Sequence, residues 1–400
     1  MPSSDDIANF DHHDPGRMQQ PFDFYASVRS QCPVAHSAQH GGFYYAVGHE
    51  GAKKVLSEFT LFTSTEGVAL PAMPSRMLPV DLDPPRQTRF RKTLNRFFAI
   101  EAAEKYRGQV QTIVDGLIDR FIARGRADFA AELTRPTITL FLLPLIGVPE
   151  QDRERLTEEF DFLSNERTSD PDRYDRTVAY ISTYLMALIA KRRASPDSHD
   201  DYIQYLLDEE FEGRLLNDQE IFEVLLVSLF GALDTTHAAS NTGLLHLGRN
   251  PSDKELLLSG EIPWLAAIDE FVRYASPIQF LRRTVKTDVE FLGVQLEAGA
   301  PILAGIGAGN RDPQVFPRPE ECIISRDASA HLGFGAGAHI CLGRNFARVI
   351  IETVLRAVLT RLPDYRIAEN FEPVFTSGEG RRMRSLPVAF TPQPAPGSEG

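Results

Sequence analysis

Length, composition and charge restrict the functions open to this chain. Its 400 residues, 42% of them hydrophobic, suffice for a large core, and its formal net charge at pH 7 is −13. The acidic balance argues against a nucleic-acid-binding protein, because phosphate contacts need clustered Lys and Arg. The first residues are polar and acidic, and no unbroken apolar run reaches the roughly eighteen residues of a transmembrane helix. We therefore expect a cytoplasmic protein with no membrane segment.

The number of cysteines and the lack of a long polar linker predict one compact domain in a reducing compartment. The three cysteines are widely spaced, which fits a reducing compartment and offers no disulfide framework. The longest polar interruption, 194–200, is short and has helical patterns on both sides. The sequence therefore predicts a single domain over residues 1–400, with a Pro- and Gly-rich tail from about residue 392 that we expect to be disordered.

The first eighty residues contain short predicted elements. Periodicity predicts helices over 22–31 and 51–57, and aromatic and β-branched residues predict a strand over 42–47. The residues before 22 are interpreted as a loop. An irregular apolar segment, 62–79, follows, and such segments either line a ligand cavity or cover the core.

The next helix is predicted to begin just after residue 83. Asp83 is a plausible N-cap, and Pro84 or Pro85 suits the first turn. Gln87 and Arg91 are four residues apart and therefore share one helix face, where they offer amide and guanidinium donors. Each of them alone would also fit an exposed polar position.

The middle of the chain is predicted to be mainly helical. Apolar residues recur with helical spacing over 102–124, 133–145, 152–165 and 173–193. A longer run, 217–250, follows without proline, and Asn217 or Asp218 suits its N-cap. At more than thirty residues, one helix over this run would cross most of the molecule.

Polar residues interrupt this long apolar run at Gly231-Ala-Leu-Asp-Thr235. A glycine followed by an acid and a hydroxyl contradicts the apolar pattern around it, and such local contradictions are typical of functional sites. The structural alternative is that Thr235 hydrogen-bonds to the carbonyl four residues earlier while Asp234 is exposed.

Glu270 and Arg273 form an E-x-x-R pair on a further predicted helix, 262–274. Such a pair is common on helix surfaces and usually contributes little to stability. Strands are then predicted over 280–296, 301–305, 365–367 and 387–390.

A glycine-rich loop with one cysteine precedes the last long helical segment, which extends to residue 362. The loop is Phe334-Gly-Ala-Gly-Ala-His-Ile-Cys-Leu-Gly-Arg344. Cys341 lies just before a helix, where unpaired backbone N–H groups and the helix dipole favour a thiolate. Because glycine lacks a Cβ atom, a large flat ligand can approach this backbone closely. The alternatives are a buried free cysteine and a zinc site with His339, although the sequence has no CxxC pair that would supply further ligands.

The spacing Phe-Gly-x-Gly-x-His-x-Cys-x-Gly resembles the haem-binding loop of the cytochrome P450 family, in which a cysteine thiolate binds the haem iron. The Asp-Pro-Pro helix, the Gly-x-x-Asp-Thr helix and the Glu-x-x-Arg helix precede the loop in the family's order, with a pattern closest to the camphor-hydroxylating branch of soluble bacterial members. The resemblance implies a mainly α helical prism with a small β region. It also implies haem b (heme b, iron protoporphyrin IX) between the long helix and the Cys341 loop.

The resemblance assigns the cofactor contacts to particular residues. Cys341 would bind the iron, and Gln87, which replaces the family's His, would meet a haem propionate together with Arg91. Arg283, with Arg282 as its alternative, would meet the second propionate, because guanidinium binds carboxylate bidentately. The complete implied cofactor-binding set is Gln87, Arg91, Arg283, Phe334, Gly335, His339, Cys341 and Gly343.

Catalytic roles are implied for two residues of the long helix. Asp234 would relay protons from solvent, and Thr235 would hydrogen-bond the bound oxygen, so that dioxygen is protonated without admitting bulk water. Ala232 replaces the second glycine of the family's motif on this helix.

Glu270 and Arg273 would form a buried structural ion pair behind the haem. The family completes this pair with a basic residue from a later irregular segment, where this chain instead has Glu321. Arg318 and Arg326 are both candidates for the missing basic residue.

The implied activity is that of a haem-thiolate monooxygenase that uses O2 to hydroxylate or oxidatively dealkylate a small hydrophobic substrate, terpenoid or aromatic. The length leaves no room for a reductase domain, so a separate [2Fe–2S] ferredoxin and its reductase would supply electrons to a monomer. A docking face is expected at Arg86, Lys92, Arg344 and Arg348. Two alternatives are a peroxide-using haem-thiolate enzyme, whose members usually replace the Asp-Thr pair, and a haem-binding sensor without turnover.

Candidate substrate contacts are mostly apolar, and each of them could instead be an ordinary core residue. They are Val68, Met77, Val227, Phe230, Gly231, Gln279 and Leu281. The tyrosine that fixes camphor in that branch has no counterpart in the stretch 74–77, so camphor is not the favoured substrate.

Overall fold

The computed structural model describes residues 3–166, 169–195 and 199–394. Residues 196–198 of the polar interruption and residues 395–400 of the Pro- and Gly-rich tail lie outside this description. The prediction of a disordered tail therefore falls mostly on residues that the structure does not describe.

The helices dominate the structure. In chain order they are α1 (Ser4–Ala8), α2 (Pro15–Gln19), α3 (Phe22–Gln31), α4 (His49–Ser57), α5 (Arg86–Asn95), α6 (Ile100–Lys105), α7 (Arg107–Phe121), α8 (Arg135–Ile146), α9 (Arg153–Asn165), α10 (Pro171–Arg193), α11 (Tyr202–Asp208), α12 (Asp218–Leu233), α13 (Thr235–Arg249), α14 (Pro251–Ser259), α15 (Trp264–Ala275), α16 (Ile306–Gly309) and α17 (Arg344–Arg361). The strands are β1 (Val34–Ser37), β2 (Phe43–Ala46), β3 (Phe62–Thr63), β4 (Arg126–Asp128), β5 (Glu210–Phe211), β6 (Arg214–Leu215), β7 (Phe280–Val285), β8 (Val289–Phe291), β9 (Val294–Leu296), β10 (Pro301–Gly305), β11 (Arg366–Ile367) and β12 (Pro387–Ala389).

The strands form small sheets at the side of the helical body. A five-stranded sheet has the order β1-β2-β10-β7-β3, and only its β2–β10 pairing is parallel among the strands described. A three-stranded sheet has the order β11-β12-β4, and the remaining strands form the hairpins β5-β6 and β8-β9. The mainly α class with a small β region, predicted from the sequence, is confirmed.

A continuous cluster of buried apolar side chains runs from Val68 to Phe390. At its centre lie α12 and α13, and α13 packs against α15 and α17. Residues 218–249 are long and apolar enough to cross a membrane, yet 56% of their most apolar window is buried inside the protein. These residues therefore resemble a core helix more than a lipid-facing one, because a membrane span keeps its apolar surface outside.

The predicted long helix is divided at Asp234, where α12 ends and α13 begins. Its start is the predicted one: the Asn217 side chain accepts from the Glu220 N–H at 2.9 Å while the Glu220 carboxylate accepts from the Asn217 N–H at 3.0 Å. Thr235 Oγ1 donates to the Gly231 carbonyl oxygen at 2.6 Å. That side-chain bond competes with the backbone ladder, which is a known cause of helix bending.

Two predictions near the N-terminus are wrong in detail. Asp83 does not cap α5, which begins at Arg86; its Oδ1 instead accepts from the Ser64 N–H at 3.1 Å and so ties two loops together. The residues before 22, interpreted as loop, contain α1 and α2, which are capped by Ser3 and Asp14. Helices this short lack a readable period, so their caps were the available signal.

Candidate active site

A cavity of about 400 Å³ lies between α12–α13 and the glycine-rich loop before α17. Its walls come from α5, α8, α12, α13, the first two turns of α17 and the loop after β3. The residues that the sequence singled out and that line this one cavity are Val68, Met77, Gln87, Arg91, Val227, Phe230, Gly231, Asp234, Thr235, Leu281, Arg283, Phe334, Gly335, His339, Cys341 and Gly343. Positions far apart in the sequence therefore form one site.

Gln279 is the substrate-contact prediction that fails. Its side chain is fully buried and does not belong to the cavity wall, which is formed there by Ile278 and Leu281. The Gln279 amide donates to the Ser276 carbonyl at 2.7 Å and accepts from the Tyr25 hydroxyl at 3.4 Å. A buried amide needs such partners, so packing requirements fix this side chain away from the cavity.

Cys341 lies at the end of a tight loop whose backbone adopts positive φ at Gly335 and Gly337, +74° and +67°. The Cys341 N–H donates to the Phe334 carbonyl at 2.7 Å, which closes the loop. Burial raises the pKa of the Cys341 thiol, although the N–H groups of Gly343 and Arg344 and the Arg91 charge act to lower it. The backbone donors expected from the sequence are present, but a cation at the sulfur is needed to offset burial of a thiolate.

Polar groups cluster at one side of the cavity, around the carbonyl oxygen of Ala338. Gln87 Nε2 donates to that oxygen at 2.7 Å and Arg91 Nη1 donates to it at 3.3 Å. Burial lowers the pKa of the Arg91 guanidinium, but a guanidinium remains charged at neutral pH. The predicted common helix face of these two residues is confirmed, because both reach the same acceptor.

Arg283 adds a second cation to this side of the cavity. Its guanidinium is almost fully buried, with a hydrogen bond from Nη1 to the Arg282 carbonyl at 2.8 Å. Burial lowers its pKa to about 10, although the negative charges of Asp83 and Asp81 act to raise it. Burial and the Arg283 charge lower the pKa of His339 to about 3, so this histidine is neutral, and its Nε2 lies 3.3 Å from Ser64 Oγ.

These residues fit haem. The cavity joins a soft sulfur ligand to two guanidinium groups, and Arg–carboxylate pairing suits the two propionates of a porphyrin. The walls between them are mostly apolar. A Cβ added at Gly231 or Gly343 would meet no atom of the described residues within 4 Å, so the backbone leaves open space at both positions. A flat dianionic macrocycle with a thiolate-binding metal matches this set of groups.

Asp234 and Thr235 lie together on the cavity wall. The bond from Thr235 to the carbonyl of Gly231 is the one that the structural alternative foresaw. Asp234, however, is not an exposed acid: its Oδ1 lies 3.1 Å from Arg382 Nε, and 17% of its side chain is accessible. The acid is therefore held by a charged partner beside the cavity.

The Glu270–Arg273 pair is fully buried, as the resemblance implied. Arg273 donates to both carboxylate oxygens, at 2.7 and 2.9 Å. Arg326 Nε donates to Glu270 Oε1 at 3.1 Å, so Arg326 is the third member of the network. Arg318, the other candidate, pairs with Glu321 at the surface.

Sequence reasoning missed two functional contributions from the loop before β12. Glu379 lines the cavity, and Arg382 pairs with Asp234. Both contacts join residues that are distant in the chain, so no spacing rule indicates them. The charged, glycine-flanked stretch 378–384 was the available signal, since charged loop residues among predicted strands often serve a site.

Comparison with known proteins agrees with this geometry. A family model described as Cytochrome P450 matches residues 148–257 and 261–363. A steroid C26-monooxygenase of Mycolicibacterium smegmatis is 32% identical over 344 residues, 83% of this chain and 84% of that protein. The cytochrome P450 monooxygenase PikC of Streptomyces venezuelae is 30% identical, covering 86% of this chain and 84% of that protein. The solved structure of the cytochrome P450 PksS of the Bacillus subtilis bacillaene polyketide synthase aligns with a TM-score of 0.86 at 25% identity, over 96% of this chain and 100% of that chain. This chain therefore belongs to the cytochrome P450 family, whose members are monooxygenases that use haem and dioxygen.

Proposed function

We propose that this chain is a haem-thiolate monooxygenase in which Cys341 binds the haem iron and a hydrophobic substrate occupies the adjoining cavity. The observation that carries the assignment is the arrangement of the cavity, where Cys341 shares one space with Arg91, Arg283 and a mostly apolar wall. When bound, haem supplies the iron at which dioxygen is activated for insertion of one oxygen atom into a C–H bond.

The chain's own residues bind and orient the cofactor. Arg91, Gln87 and Arg283 would neutralise and hydrogen-bond the two propionates, with His339 as a neutral donor or acceptor beside them. Phe334, Gly335 and Gly343 shape the loop and would let a flat ligand approach its backbone closely. These roles rest on the position of each residue on the cavity wall.

Proton delivery is assigned to Asp234 and Thr235. Asp234 takes up a proton at the carboxylate that Arg382 holds, and the Thr235 hydroxyl passes a proton toward the cavity. The bond from Thr235 to Gly231 fixes the hydroxyl at the wall, and the surrounding apolar residues exclude bulk water.

The substrate is proposed to be a small hydrophobic molecule, a terpenoid or an aromatic compound. Apolar side chains of Val68, Met77, Val227, Phe230 and Leu281 form much of the wall. Because one relative is named for steroids, a steroid belongs in the same test panel. Binding is measured as the change in the haem absorption band when each class of compound is added; if polar sugars bind and apolar compounds do not, the substrate class is wrong.

Electrons are proposed to come from a [2Fe–2S] ferredoxin and its reductase, acting on a cytoplasmic monomer. Of the expected docking residues, Arg86 forms a salt bridge with Glu212, and Arg348 donates hydrogen bonds to both carboxylate oxygens of Asp269. The charges of these two arginines are therefore partly neutralised. Lys92, which is exposed, and Arg344 are then the principal cations of this face. The ferredoxin-driven reduction rate should fall with rising salt and in Lys92→Glu; independence from salt would exclude this mode of docking.

The experiment that tests the proposal is the absorption spectrum of the reduced, carbon-monoxide-treated protein. We expect the far-red Soret band of thiolate-bound haem, and we expect Cys341→Ser to lose it. Cys32→Ser is the matched control, because Cys32 lies outside the cavity. A histidine-type spectrum in the wild-type protein would overturn the assignment of Cys341.

A second variant tests the acid–alcohol pair separately from the iron ligand. Thr235→Ala should keep the thiolate spectrum but divert reducing equivalents from product to peroxide. Thr236→Ala, which removes a neighbouring hydroxyl that also lines the cavity, is the control and should remain coupled. If Thr235→Ala stays as coupled as the wild type, the assigned role of Thr235 is wrong.

A further inference from the structure

A cluster of three histidines and two carboxylates lies where three distant segments meet. Asp11, His12 and His13 belong to the loop between α1 and α2, His40 lies in the turn between β1 and β2, and Glu379 lies in the loop before β12. The rings of His12 and His13 are 4.2 Å apart, and both lie within 5.8 Å of the His40 ring. The cytochrome P450 chemistry described above uses none of these histidines.

His12 is the residue that hydrogen bonding within the chain does not explain. Its side chain is fully buried, yet neither ring nitrogen has a hydrogen-bond partner among the described residues. Its Nε2 lies 3.6 Å from Glu379 Oε1, and its Nδ1 lies 4.0 Å from Asp11 Oδ1. Buried polar groups are normally paired, so an imidazole left unpaired between two carboxylates indicates a missing ligand.

We propose that His12, His13 and Glu379 bind a divalent transition-metal ion, with zinc as the expected metal. Imidazole nitrogen and carboxylate oxygen bind zinc at about 2.0–2.2 Å, which places neighbouring donor atoms of a tetrahedral site roughly 3.3 Å apart. His12 Nε2 and His13 Nε2 lie 3.6 and 3.8 Å from Glu379 Oε1. A contraction of a few tenths of an ångström would therefore bring the donors to bonding positions.

The surrounding groups complete the site. His13 Nε2 now lies 2.9 Å from the Leu70 carbonyl oxygen, and this oxygen would accept a hydrogen bond from a water that is the fourth zinc ligand. Asp11 Oδ1 and His40 Nε2 are already hydrogen-bonded to each other at 2.9 Å. They form the outer side of the cluster, with side chains 30% and 19% exposed, and so provide the path by which an ion enters.

The ion would link the N-terminal loop to the wall of the cavity. Glu379 lines the cavity, its Oε1 accepts from the Leu70 N–H at 3.1 Å, and its carbonyl accepts from the Gln279 N–H at 2.7 Å. A metal bound to this carboxylate therefore fixes a segment that contacts both the substrate space and the loop after β3.

The test is zinc binding to the haem-loaded enzyme, prepared without an affinity tag and freed of metal with a chelator. Calorimetry and elemental analysis after desalting should find one zinc per chain. Zinc should also raise the unfolding temperature, because it binds the native state. His12→Gln and Glu379→Gln should bind at least tenfold more weakly, whereas His36→Gln, which alters an exposed histidine on β1, should bind as the wild type does.

The variants separate the proposal from its competitors. Glu379→Gln is nearly isosteric and keeps an oxygen for the Leu70 N–H, so it remains informative if His12→Gln fails to fold. Loss of binding in His13→Ala but not in His40→Ala supports the assigned ligands; the reverse result would move the ion to Asp11 and His40 and overturn them. Equal zinc binding by the wild type and Glu379→Gln, or none by the wild type, would show an adventitious ion only or no site.

Discussion

Glu270 lies between two guanidinium groups in the interior of the protein. Its carboxylate accepts hydrogen bonds from Arg273 and Arg326, whose side chains are 0% and 8% exposed. Charges this deep are stable only as a network, since each would otherwise lose its hydration without compensation. The backbone carbonyls of Asn310 and Pro319 accept further hydrogen bonds from Arg273. The network therefore also fixes the irregular segment before the Cys341 loop.

Removing the carboxylate should be costly. Glu270→Gln leaves two cations without their counter-charge, and we expect the free energy of unfolding to fall by about 3–5 kcal/mol in denaturant titrations. The control is Glu321→Gln, which breaks the surface pair with Arg318 and should cost less than about 1 kcal/mol. Similar losses in the two variants would contradict a stabilising role for the buried network.

His237 is a buried histidine whose protonated form is disfavoured in the folded protein. Its Nδ1 lies 2.8 Å from Thr134 Oγ1, and burial together with the Arg382 and Arg135 charges lowers its pKa to about 3. The unfolded chain binds this proton below about pH 6.5. Between these two pH values the unfolded state therefore holds more protons, so this residue lowers the free energy of unfolding as the pH falls.

Replacing this base should flatten the acid side of the stability curve. His237→Asn keeps a polar atom near Thr134 but cannot take up a proton. We expect the loss of stability between pH 6.5 and pH 4.5 to shrink by as much as about 1.4 kcal/mol per pH unit, measured by denaturant titration at several pH values. Parallel curves for the wild type and His237→Asn would refute this explanation.

Single residues also mark how far sequence reasoning reached in the site. Cys341 and its glycines form a local loop, so their spacing carried the haem-binding prediction. Gln87 and Arg91 followed from helical spacing, again a local property. The ion pair of Asp234 with Arg382 depends on a tertiary contact, and Gln279 was misassigned because burial of its amide overrode its position between two cavity residues.

At the scale of elements, α13 is packed tightly against its neighbours at two glycines. A Cβ at Gly248 would lie 2.8 Å from Ile367 and 2.9 Å from Tyr365, and one at Gly243 would lie 3.0 Å from Phe271. These glycines allow β11 and α15 to approach the helix closely. Gly231, on α12, instead has open space at its Cβ position.

Alanine substitutions should therefore have opposite effects in the two helices. In Gly248→Ala the new methyl group pushes Ile367 and Tyr365 away from α13. We expect this variant to lower the free energy of unfolding by about 1–3 kcal/mol. Gly231→Ala should be neutral or stabilising by up to about 1 kcal/mol in the haem-free protein, because alanine favours helix and meets no neighbour within the described structure. Denaturant titration of both variants checks this, and equal destabilisation would contradict it.

The elements also show which parts of the fold were predictable. Long helices such as α10 and α17 were predicted from periodicity alone and are confirmed. Strands as short as β3 and β4 were missed, because two or three residues carry no period and form only by pairing with β7 and β12. The break at Asp234 was not predicted as a helix end, because each side of it has a helical pattern, although the sequence did indicate the polar interruption and the Thr235 side-chain bond that accompany it.

At the scale of the whole molecule, we expect haem binding to contribute much of the free energy of unfolding. A ligand that binds only the native chain stabilises it by about 2.7 kcal/mol at a hundredfold excess over its dissociation constant, so haem removal should lower the unfolding temperature. Iron-free protoporphyrin IX, which keeps the propionates, should restore part of the loss through Arg91 and Arg283. Scanning calorimetry of the three forms checks this; identical transitions would show that the cavity does not bind the porphyrin tightly.

The loop before β12 has a further consequence for how the enzyme is made. Glu379 closes the cavity wall, Arg382 holds Asp234, and β12 pairs with β4 from the first half of the chain. A ribosome synthesises the N-terminal half first, at about 5–20 residues per second. The cavity residues of that half therefore emerge on the order of tens of seconds before the loop that completes the cavity wall. We therefore expect haem to bind after translation is complete, so that cells which make this protein faster than they make haem should accumulate chains without the cofactor.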